Sequence, residues 1–470
     1  MRGIAYEQAL WDEALIAKYD TGAPRYTSYP TAKEFSPSFN EQYLMAAYQK
    51  YPYKNLSLYF HIPFCHQLCY FCACNKVITQ HQGKADQYLT YLALEIKARS
   101  QLLAGRQVTQ IHLGGGSPTF LDRIQMHRLI MLIYDHFQVK SDAEIGIEID
   151  PRGIDQSYLA FLRNLGFNRL SMGIQDFNPE VQMAVNREQK EEEVGALIGR
   201  AKDLGFVSVS VDLIYGLPLQ TVGSFRVTLN KIIDLAPDRV SVFNFAYLPG
   251  LIKPHKMIVA NTLPSAADKL KMFEETITLF TRSGYRFIGM DHFALEQDEL
   301  AVLQEEGKLH RNFQGYTTQG DTDLVGLGVS AISTIGDTYA QNEKIIQRYY
   351  ARVEESHTAL ARGLFLSEED CLRRDIIKAI VCDFSVSFAR YEQQHHFHFQ
   401  KKFAHEMEAL EEMAEDGLVR FTKEGFIVTP KGRLLVRHIA LVFDQYSNIE
   451  KESFSRAVSY THLRAHETSL

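Results

Sequence analysis

The sequence predicts an α/β fold built around a parallel sheet, and two observations support this prediction. Short β-rich runs recur about every 25 to 50 residues along much of the chain. Segments with helical periodicity lie between them, and two of these, 85–103 and 191–204, combine an apolar stripe with a charged face. Repeated βα units of this length are typical of a parallel sheet, which binds ligands at the carboxyl ends of its strands.

The predicted strands end in residues that suit a binding site. These strands are 56–61, 108–113, 144–149, 169–174, 207–214, 239–245 and a further run at 285–290. The first is followed by a cysteine-rich segment, and the second by the turn 114–118. The next four end in, or run into, Glu148 and Asp150, Gln175 and Asp176, Asp212, and the segment 244–249. Each has an ordinary structural explanation alone, but together they predict one rim of ligand contacts.

Four cysteines lie within ten residues, at Cys65, Cys69, Cys72 and Cys74. The first three have the spacing C-x3-C-x2-C, and their thiolates can each hold one iron of a cubic iron–sulfur cluster. The fourth iron would then be open to a substrate or cofactor. A zinc site of all four thiols is an alternative, although a second pair at the usual spacing does not follow. A redox pair of Cys69 and Cys72 would leave two neighbouring thiols unexplained.

Composition narrows the class of partner. The 470 residues are 46% apolar, which is enough for two or three domains with a large core, and the net charge is −7. This charge provides no basic footprint for nucleic acid, so we expect a small-molecule partner. Apolar runs are too short for a membrane span, and no export signal is evident at the N-terminus. Clustered reduced thiols predict a cytoplasmic protein.

Six segments carry a resemblance to a known family. They are 24–30 (PRYTSYP), 59–65 (YFHIPFC), 148–152 (EIDPR), 169–177 (RLSMGIQDF), 212–218 (DLIYGLP) and 310–318 (HRNFQGYTT). With them, the stretch from about residue 19 to 458 resembles the oxygen-independent coproporphyrinogen III oxidases, which are radical S-adenosylmethionine (SAM) enzymes. The last segment and Cys74 distinguish the decarboxylases from haem-handling paralogues. Ser117 stands where the family often has threonine, which retains the hydroxyl.

The resemblance implies a domain organisation. An N-terminal extension, 1–45, would cover the active site of a catalytic barrel, 46–350, which would be a partial (β/α)6 barrel open on one side. A mostly helical, winged-helix-like domain, 351–458, would follow, and the tail 459–470 has no family counterpart.

The residues themselves predict a capping box that opens a helix over 367–383, an acidic helix near 403–415 and a hairpin of 418–422 with 425–429. We expect this domain to act as a lid.

The resemblance also implies the roles of individual residues. Cys65, Cys69 and Cys72 would hold a 4Fe–4S cluster, with Cys74 nearby but not coordinating. One SAM would contact Tyr59, Gly115, Glu148 and Ile332. A second SAM would contact Phe71, Gly116, Ser117, Gln175, Arg187, Asp212 and Ala246. Cys74, Glu148, Phe313 and Gln314 would take part in catalysis.

The implied reaction converts two propionates of coproporphyrinogen III to vinyl groups, giving protoporphyrinogen IX in haem biosynthesis. We expect a monomer served by an electron donor such as flavodoxin or ferredoxin, and Arg25, Arg152 and Arg311 are candidate ligands for the substrate carboxylates.

Two other classes of function stay open. A haem carrier would bind haem without turnover, against which Cys74 and the segment 310–314 argue, and a plain iron–sulfur or zinc module would not cleave SAM.

Overall fold

The computed structural model describes residues 9–19 and 22–447. Within them, a twelve-stranded sheet forms the centre of the molecule. Its strands are β1 (Asn55–Ile62), β2 (Gln107–Gly115), β3 (Gln138–Ile149), β4 (Arg169–Gln175), β5 (Ser208–Tyr215), β6 (Arg239–Asn244), β7 (Tyr285–Gly289), β8 (His292–Leu295), β9 (Thr322–Leu327), β10 (Ile332–Ile335), β11 (Thr338–Asn342) and β12 (Leu360–Phe365). Their order across the sheet is β12-β11-β10-β9-β1-β2-β3-β4-β5-β6-β8-β7.

The parallel part of the sheet confirms the predicted α/β fold. Strands β1 to β6 lie side by side in chain order and pair in parallel, and β9 adds a parallel neighbour on the other side of β1. Antiparallel strands extend both ends, with β8 and β7 beyond β6 and β10 to β12 beyond β9. The end strands β12 and β7 do not pair with each other among the described residues, so the (β/α)6 barrel is open.

Helices cover the outer face of the parallel strands. The α-helices are α1 (Glu13–Lys18), α2 (Glu41–Lys50), α3 (Gly83–Leu102), α4 (Arg123–His136), α5 (Gln156–Asn164), α6 (Pro179–Ala184), α7 (Glu191–Asp203), α8 (Val222–Leu235), α9 (Ala266–Arg282), α10 (Glu299–Glu305), α11 (Ile346–Ser356), α12 (Glu368–Asp383), α13 (Phe388–His395), α14 (Phe399–Lys402), α15 (Ala404–Glu415) and α16 (Val436–Leu441). In β1, Leu58 and Phe60 are fully buried in the core, while the alternating Tyr59 and His61 line the cavity described below. This alternation separates the core from the site.

The predicted strand positions agree with the structure to within one or two residues for most of β1 to β7. The exception is β3, which begins at Gln138, six residues before the predicted start at Glu144. Residues 138–142 are mostly exposed and polar, so the added length has no apolar alternation that would reveal it. Strands β8 to β12 were not predicted, because they are short and pair with distant parts of the chain.

The C-terminal region has its own core. Helix α12 begins after a capping box in which Ser367 and Asp370 exchange side-chain and backbone hydrogen bonds, as predicted. The predicted hairpin is Val419–Thr422 with Gly425–Val428, and Ser385–Ser387 completes a three-stranded antiparallel sheet. This core also includes Ile288 and Tyr316 from the catalytic region, so the two regions share one apolar interface.

Part of the predicted domain organisation lies outside the described residues, including the tail 459–470 and the ends of the N-terminal and C-terminal regions. The proposed domain boundaries therefore stay predictions. Among the helices that the structure describes, none is long and apolar enough to cross a membrane.

Candidate active site

A cavity of about 270 Å³ lies at the carboxyl ends of the parallel strands. All of the predicted site residues line it except Ala246. Those that do are Tyr59, Cys65, Cys69, Phe71, Cys72, Cys74, Gly115, Gly116, Ser117, Glu148, Gln175, Arg187, Asp212, Phe313, Gln314 and Ile332. Ala246 is buried just after β6 and is only 1% exposed. The fold thus brings together residues that are up to 273 positions apart in the sequence.

The cysteine loop is held in place at both ends. Phe64–Cys65 pairs in parallel with Val77–Ile78, which brings the two ends of the loop together. Within the loop, the Lys76 ammonium donates to the carbonyl oxygens of Cys72 at 2.8 Å and Cys74 at 3.3 Å. These bonds fix the backbone that presents the sulfurs to the cavity.

Cationic and thiol donors surround the cysteine sulfurs. Arg152 Nη2 and Arg187 Nη1 each lie 3.4 Å from Cys69 Sγ. A hydrogen bond from the Cys74 thiol and the nearby charge of Lys76 lower the pKa of Cys72, although burial opposes this. Burial instead raises the pKa of Cys65. The surroundings of Cys72 therefore favour the thiolate, which is the form that binds metal.

The donor set at the cavity suits an iron–sulfur cluster. Among the described residues, no group of three or more His, Cys, Asp or Glu side chains is arranged to hold one metal ion. Cys65, Cys69 and Cys72 nevertheless line one cavity. This arrangement suits a cluster, in which each thiolate binds a different iron atom. Gln175 Oε1 in the same cavity is buried without a hydrogen-bond partner among the described residues, and a polar ligand could supply one.

The glycine turn after β2 is required by packing. Gly115 has φ of +114°, and a Cβ atom there would lie 2.7 Å from the His61 ring. A Cβ atom on Gly116 would lie 2.7 Å from the carbonyl carbon of Pro63, which leads into the cysteine loop. The sequence suggested that these glycines let the backbone approach a ligand. The structure adds that a side chain at Gly115 would displace the His61 ring, and one at Gly116 would displace the backbone that leads into the cysteine loop.

Glu148 and Tyr59 form a polar corner of the cavity. Gly115 N donates to Glu148 Oε2, and Glu148 Oε1 lies beside His112 Nε2, each at 3.4 Å. The Tyr59 hydroxyl is 3.3 Å from His61 Nδ1. Burial and the Glu148 charge raise the pKa of Tyr59 well above its usual value, so its phenol stays neutral. Glu148 is 40% exposed and presents an acceptor to the cavity.

A second polar group lies at the ends of β4 and β5. Gln175 adopts φ of +70°, which is unusual for a residue with a side chain, where the pairing of β4 with β5 shifts register. Ser171 Oγ donates to Asp212 Oδ2 at 3.4 Å. The unusual backbone at Gln175 is consistent with a functional position, because such conformations cluster at ligand sites.

Buried Arg187 has a half-buried acidic partner that the sequence does not reveal. Its guanidinium nitrogens lie 3.3 Å from both oxygens of Asp150 and also donate to the Gly173 carbonyl. Burial raises the pKa of Asp150, but Arg187 and Arg152 outweigh that effect and lower it to about 2. The sequence indicated only that Asp150 ends a predicted strand two residues before Arg152, which suggests an arginine partner for Asp150 but does not identify Arg187. A ligand carboxylate would therefore share Arg187 with Asp150.

Phe313 and Gln314 reach the cavity from a tight hairpin of His310–Asn312 with Gly315–Thr317. The backbone nitrogen of Gln314 donates to Asn312 Oδ1 at 2.8 Å, and this bond stabilises the turn. Gln314 Nε2 is buried and has no hydrogen-bond partner among the described residues. Phe313 packs edge-on against Phe35 of the N-terminal region, with ring centroids 6.5 Å apart.

The three arginines predicted as substrate ligands are all engaged with other parts of the protein. Arg25 pairs with Asp291 at 2.9 Å, and Arg152 pairs with Asp150 at 2.6 Å. Arg311 is buried, and its guanidinium lies 4.7 Å from the centroid of a tyrosine ring. Arg152 alone of these three lines the cavity. The predicted role in binding substrate carboxylates therefore gains no support from Arg25 or Arg311.

Comparisons with known proteins agree with this geometry. A family model described as the radical SAM superfamily matches residues 59–232, and one described as the HemN C-terminal domain matches residues 366–435. The open parallel sheet and the three-cysteine loop at its carboxyl edge thus belong to a radical SAM enzyme, with a 4Fe–4S cluster and SAM as its cofactors.

Full-length relatives define the family more closely. An oxygen-independent coproporphyrinogen III oxidase of Escherichia coli is 54% identical over 97% of this chain and 100% of its own length. Its counterpart in Pseudomonas aeruginosa is 47% identical over 95% of this chain and 99% of its own. The solved E. coli coproporphyrinogen III oxidase superposes with a TM-score of 0.90, at 54% identity, covering 94% of this chain and 100% of that one. The chain belongs to the oxygen-independent coproporphyrinogen III oxidase family.

Proposed function

We propose that this protein converts coproporphyrinogen III to protoporphyrinogen IX without oxygen, by oxidative decarboxylation of two propionate side chains. The observation that carries the proposal is a single cavity that joins the three cysteines to Phe313 and Gln314. The cysteines suit the cluster, and the Phe313–Gln314 segment belongs to the block that resembles the true decarboxylases. Relatives that match over nearly their full length carry the corresponding name.

When bound, the cluster would supply an electron and SAM would supply a carbon radical. This radical removes a hydrogen atom from the β-carbon of a propionate. The propionate radical that remains loses carbon dioxide and passes one electron to a one-electron acceptor as the vinyl group forms. Cys65, Cys69 and Cys72 would hold the cluster, while Arg152 and Arg187 lie against the Cys69 sulfur. Glu148 would accept a hydrogen bond from the cluster-bound SAM. Gln314 would orient the substrate through its buried amide donor.

The direct test is an anaerobic assay of the reconstituted protein with SAM, a reductant and coproporphyrinogen III. We expect protoporphyrinogen IX, with 5′-deoxyadenosine and methionine as products of SAM. Cys69→Ser is the control that should form none of them. Tight haem binding without decarboxylation would instead identify a haem carrier, and cluster formation without SAM cleavage would indicate a plain iron–sulfur module.

Two SAM molecules per chain are also part of this proposal. Two separate polar groups in the cavity support it. The first is Tyr59, Gly115 and Glu148, with Ile332 beside them, and the second is formed by Gln175, Arg187 and Asp212. Asp212 can accept from ribose hydroxyls. Arg187 Nε is buried without a hydrogen-bond partner among the described residues, and it can donate to a methionyl carboxylate while Asp150 keeps the charge of Arg187 balanced.

Substitution of Arg187 tests the second SAM site. Equilibrium binding under anaerobic conditions should approach two SAM per wild-type chain and one for Arg187→Ala, since a charge-assisted contact accounts for roughly a ten- to hundredfold difference in affinity. Arg226→Ala, which removes an exposed arginine paired with Glu275, is the matched control and should keep both sites. A wild-type stoichiometry of one at saturation would contradict the assignment.

The setting of the reaction completes the proposal. A flavodoxin or ferredoxin would donate the electrons, the chain would act as a monomer, and its clustered reduced thiols suit the cytoplasm. Size-exclusion chromatography with light scattering would test the oligomeric state, and reduction of the cluster by each candidate donor would test the electron source.

A further inference from the structure

The antiparallel strands β10 to β12 carry an arginine on the same face of the sheet as the cavity. In the register of strands β10 to β12, Ile332 lies opposite Gln341, and Gln341 lies opposite Arg362. Directly opposed residues in antiparallel strands point to the same side of a sheet. Because Ile332 lines the cavity, the side chains of Gln341 and Arg362 extend that wall beyond it, towards the edge strand.

Arg362 is held by two contacts that set its direction. Its Nε donates to Gln341 Oε1 at 2.6 Å, and Gln341 Nε2 donates to the carbonyl of Ser330, a cavity-lining residue, at 3.3 Å. The guanidinium carbon also lies 5.7 Å from the centroid of the Phe35 ring. Since Phe35 packs against Phe313, an aromatic surface joins Arg362 to the catalytic cavity.

The charge of Arg362 is not balanced within the described residues. It forms no ion pair there, its two terminal nitrogens make no hydrogen bond, and Nη2 is buried. Burial lowers the pKa of Arg362, and burial together with the Arg362 charge lowers the pKa of Lys344 to about 8. A partly buried guanidinium with unused donors is unfavourable alone, and a carboxylate is the ligand that would satisfy it.

We propose that Arg362 binds a peripheral propionate of the tetrapyrrole substrate, a proposal that rests on the function proposed above. Two strand spacings, or about 9 to 10 Å, separate Arg362 from Ile332 at the cavity. A macrocycle that placed one propionate in the cavity would lie across Phe35 and Phe313, and a propionate on another ring would reach Arg362. The reacting and the anchored carboxylates are therefore different groups, and this site selects substrates with several carboxylates.

Equilibrium binding of coproporphyrin III, the stable oxidised form of the substrate, tests the site without turnover. Arg362→Gln should weaken binding of the free acid about ten- to hundredfold, because it removes a charge-assisted hydrogen bond. Arg362→Lys keeps the charge and should retain part of the affinity. The matched control is Arg348→Gln, which changes an exposed arginine of α11 and should bind as the wild type does.

The tetra-amide of coproporphyrin III separates carboxylate binding from a packing role. Its affinity should be the same for the wild type and Arg362→Gln, since it has no carboxylate to lose. Equal weakening of acid and amide, or no weakening of the acid, would overturn the inference. Failure of the proposed function is a separate result, because the wild type would then form no protoporphyrinogen IX whether or not Arg362 affects binding.

Discussion

The cavity has two walls that differ in how the chain builds them. One comes from β1 to β5, where successive βα units place the cysteine loop, the glycine turn, Glu148 and Asp212 at neighbouring strand ends. The other comes from β9, the start of β10 and the Phe313–Gln314 hairpin, and β9 joins the first wall through long-range pairing such as that of Asn55 with Thr322. The first wall suits cofactor chemistry, and the second suits recognition of the substrate.

The largest expected effect is on the first wall. Replacement of Cys65, Cys69 or Cys72 with Ser should abolish the 4Fe–4S absorption and all activity, because each thiolate holds one iron. Cys74→Ser should keep the cluster but impair turnover. Iron analysis and the visible spectrum of the reconstituted proteins measure the difference. Cys371→Ser, outside the cavity, is the control. If Cys74→Ser lost as much iron as Cys69→Ser, the division of roles would be wrong.

On the second wall, Gln314→Ala should abolish propionate decarboxylation while the cluster and substrate-independent SAM cleavage remain. The buried Nε2 has no protein partner among the described residues, and we expect it to donate to the substrate or to SAM. Product analysis under anaerobic conditions, alongside the cluster spectrum, provides the measurement. Gln347→Ala, on the exposed face of α11, should behave as the wild type. Normal formation of protoporphyrinogen IX by Gln314→Ala would remove this residue from the site.

The junction of the two walls depends on a buried ion pair. Arg106 Nη2 lies 2.6 Å from Asp323 Oδ2, and both side chains are nearly inaccessible to solvent. Asp323→Ala would leave the arginine charge buried and should lower the free energy of unfolding by about 3 to 5 kcal/mol. Chemical denaturation followed by circular dichroism measures this. Asp321→Ala, only two residues away but 90% exposed, should change stability little. Similar losses for both variants would argue against the ion pair as the cause.

The same contrast explains how far the sequence could predict the structure. Strands β1 to β6 and the positions of the cysteine loop, Glu148 and Asp212 followed from local periodicity, because each strand end is read from its own segment. Strands β9 to β12 could not be found in this way, since their pairing joins segments far apart in the chain. The partner of Arg187 and the packing around Gly115 are also three-dimensional facts. The proposed roles of the site residues remain predictions.

The smallest expected effect tests a feature that the sequence did reveal. Ser367 Oγ accepts a hydrogen bond from Asp370 N at 3.1 Å, and Asp370 Oδ2 accepts one from Ser367 N at 3.0 Å, which closes the capping box of α12. Ser367→Ala removes one half of the box and should lower the free energy of unfolding by about 0.5 to 2 kcal/mol. Ser356→Ala, at an exposed position near the end of α11, is a matched control without a capping role and should have almost no effect.

Denaturation midpoints and anaerobic activity of Ser367→Ala should be measured together. Because most of the buried face of α12 packs in the C-terminal core and no residue of the helix lines the cavity, the stability of the variant should fall while its decarboxylation rate at low temperature stays at the wild-type level. A loss of activity with unchanged stability would instead place this helix in the catalytic machinery and weaken the division between the two walls.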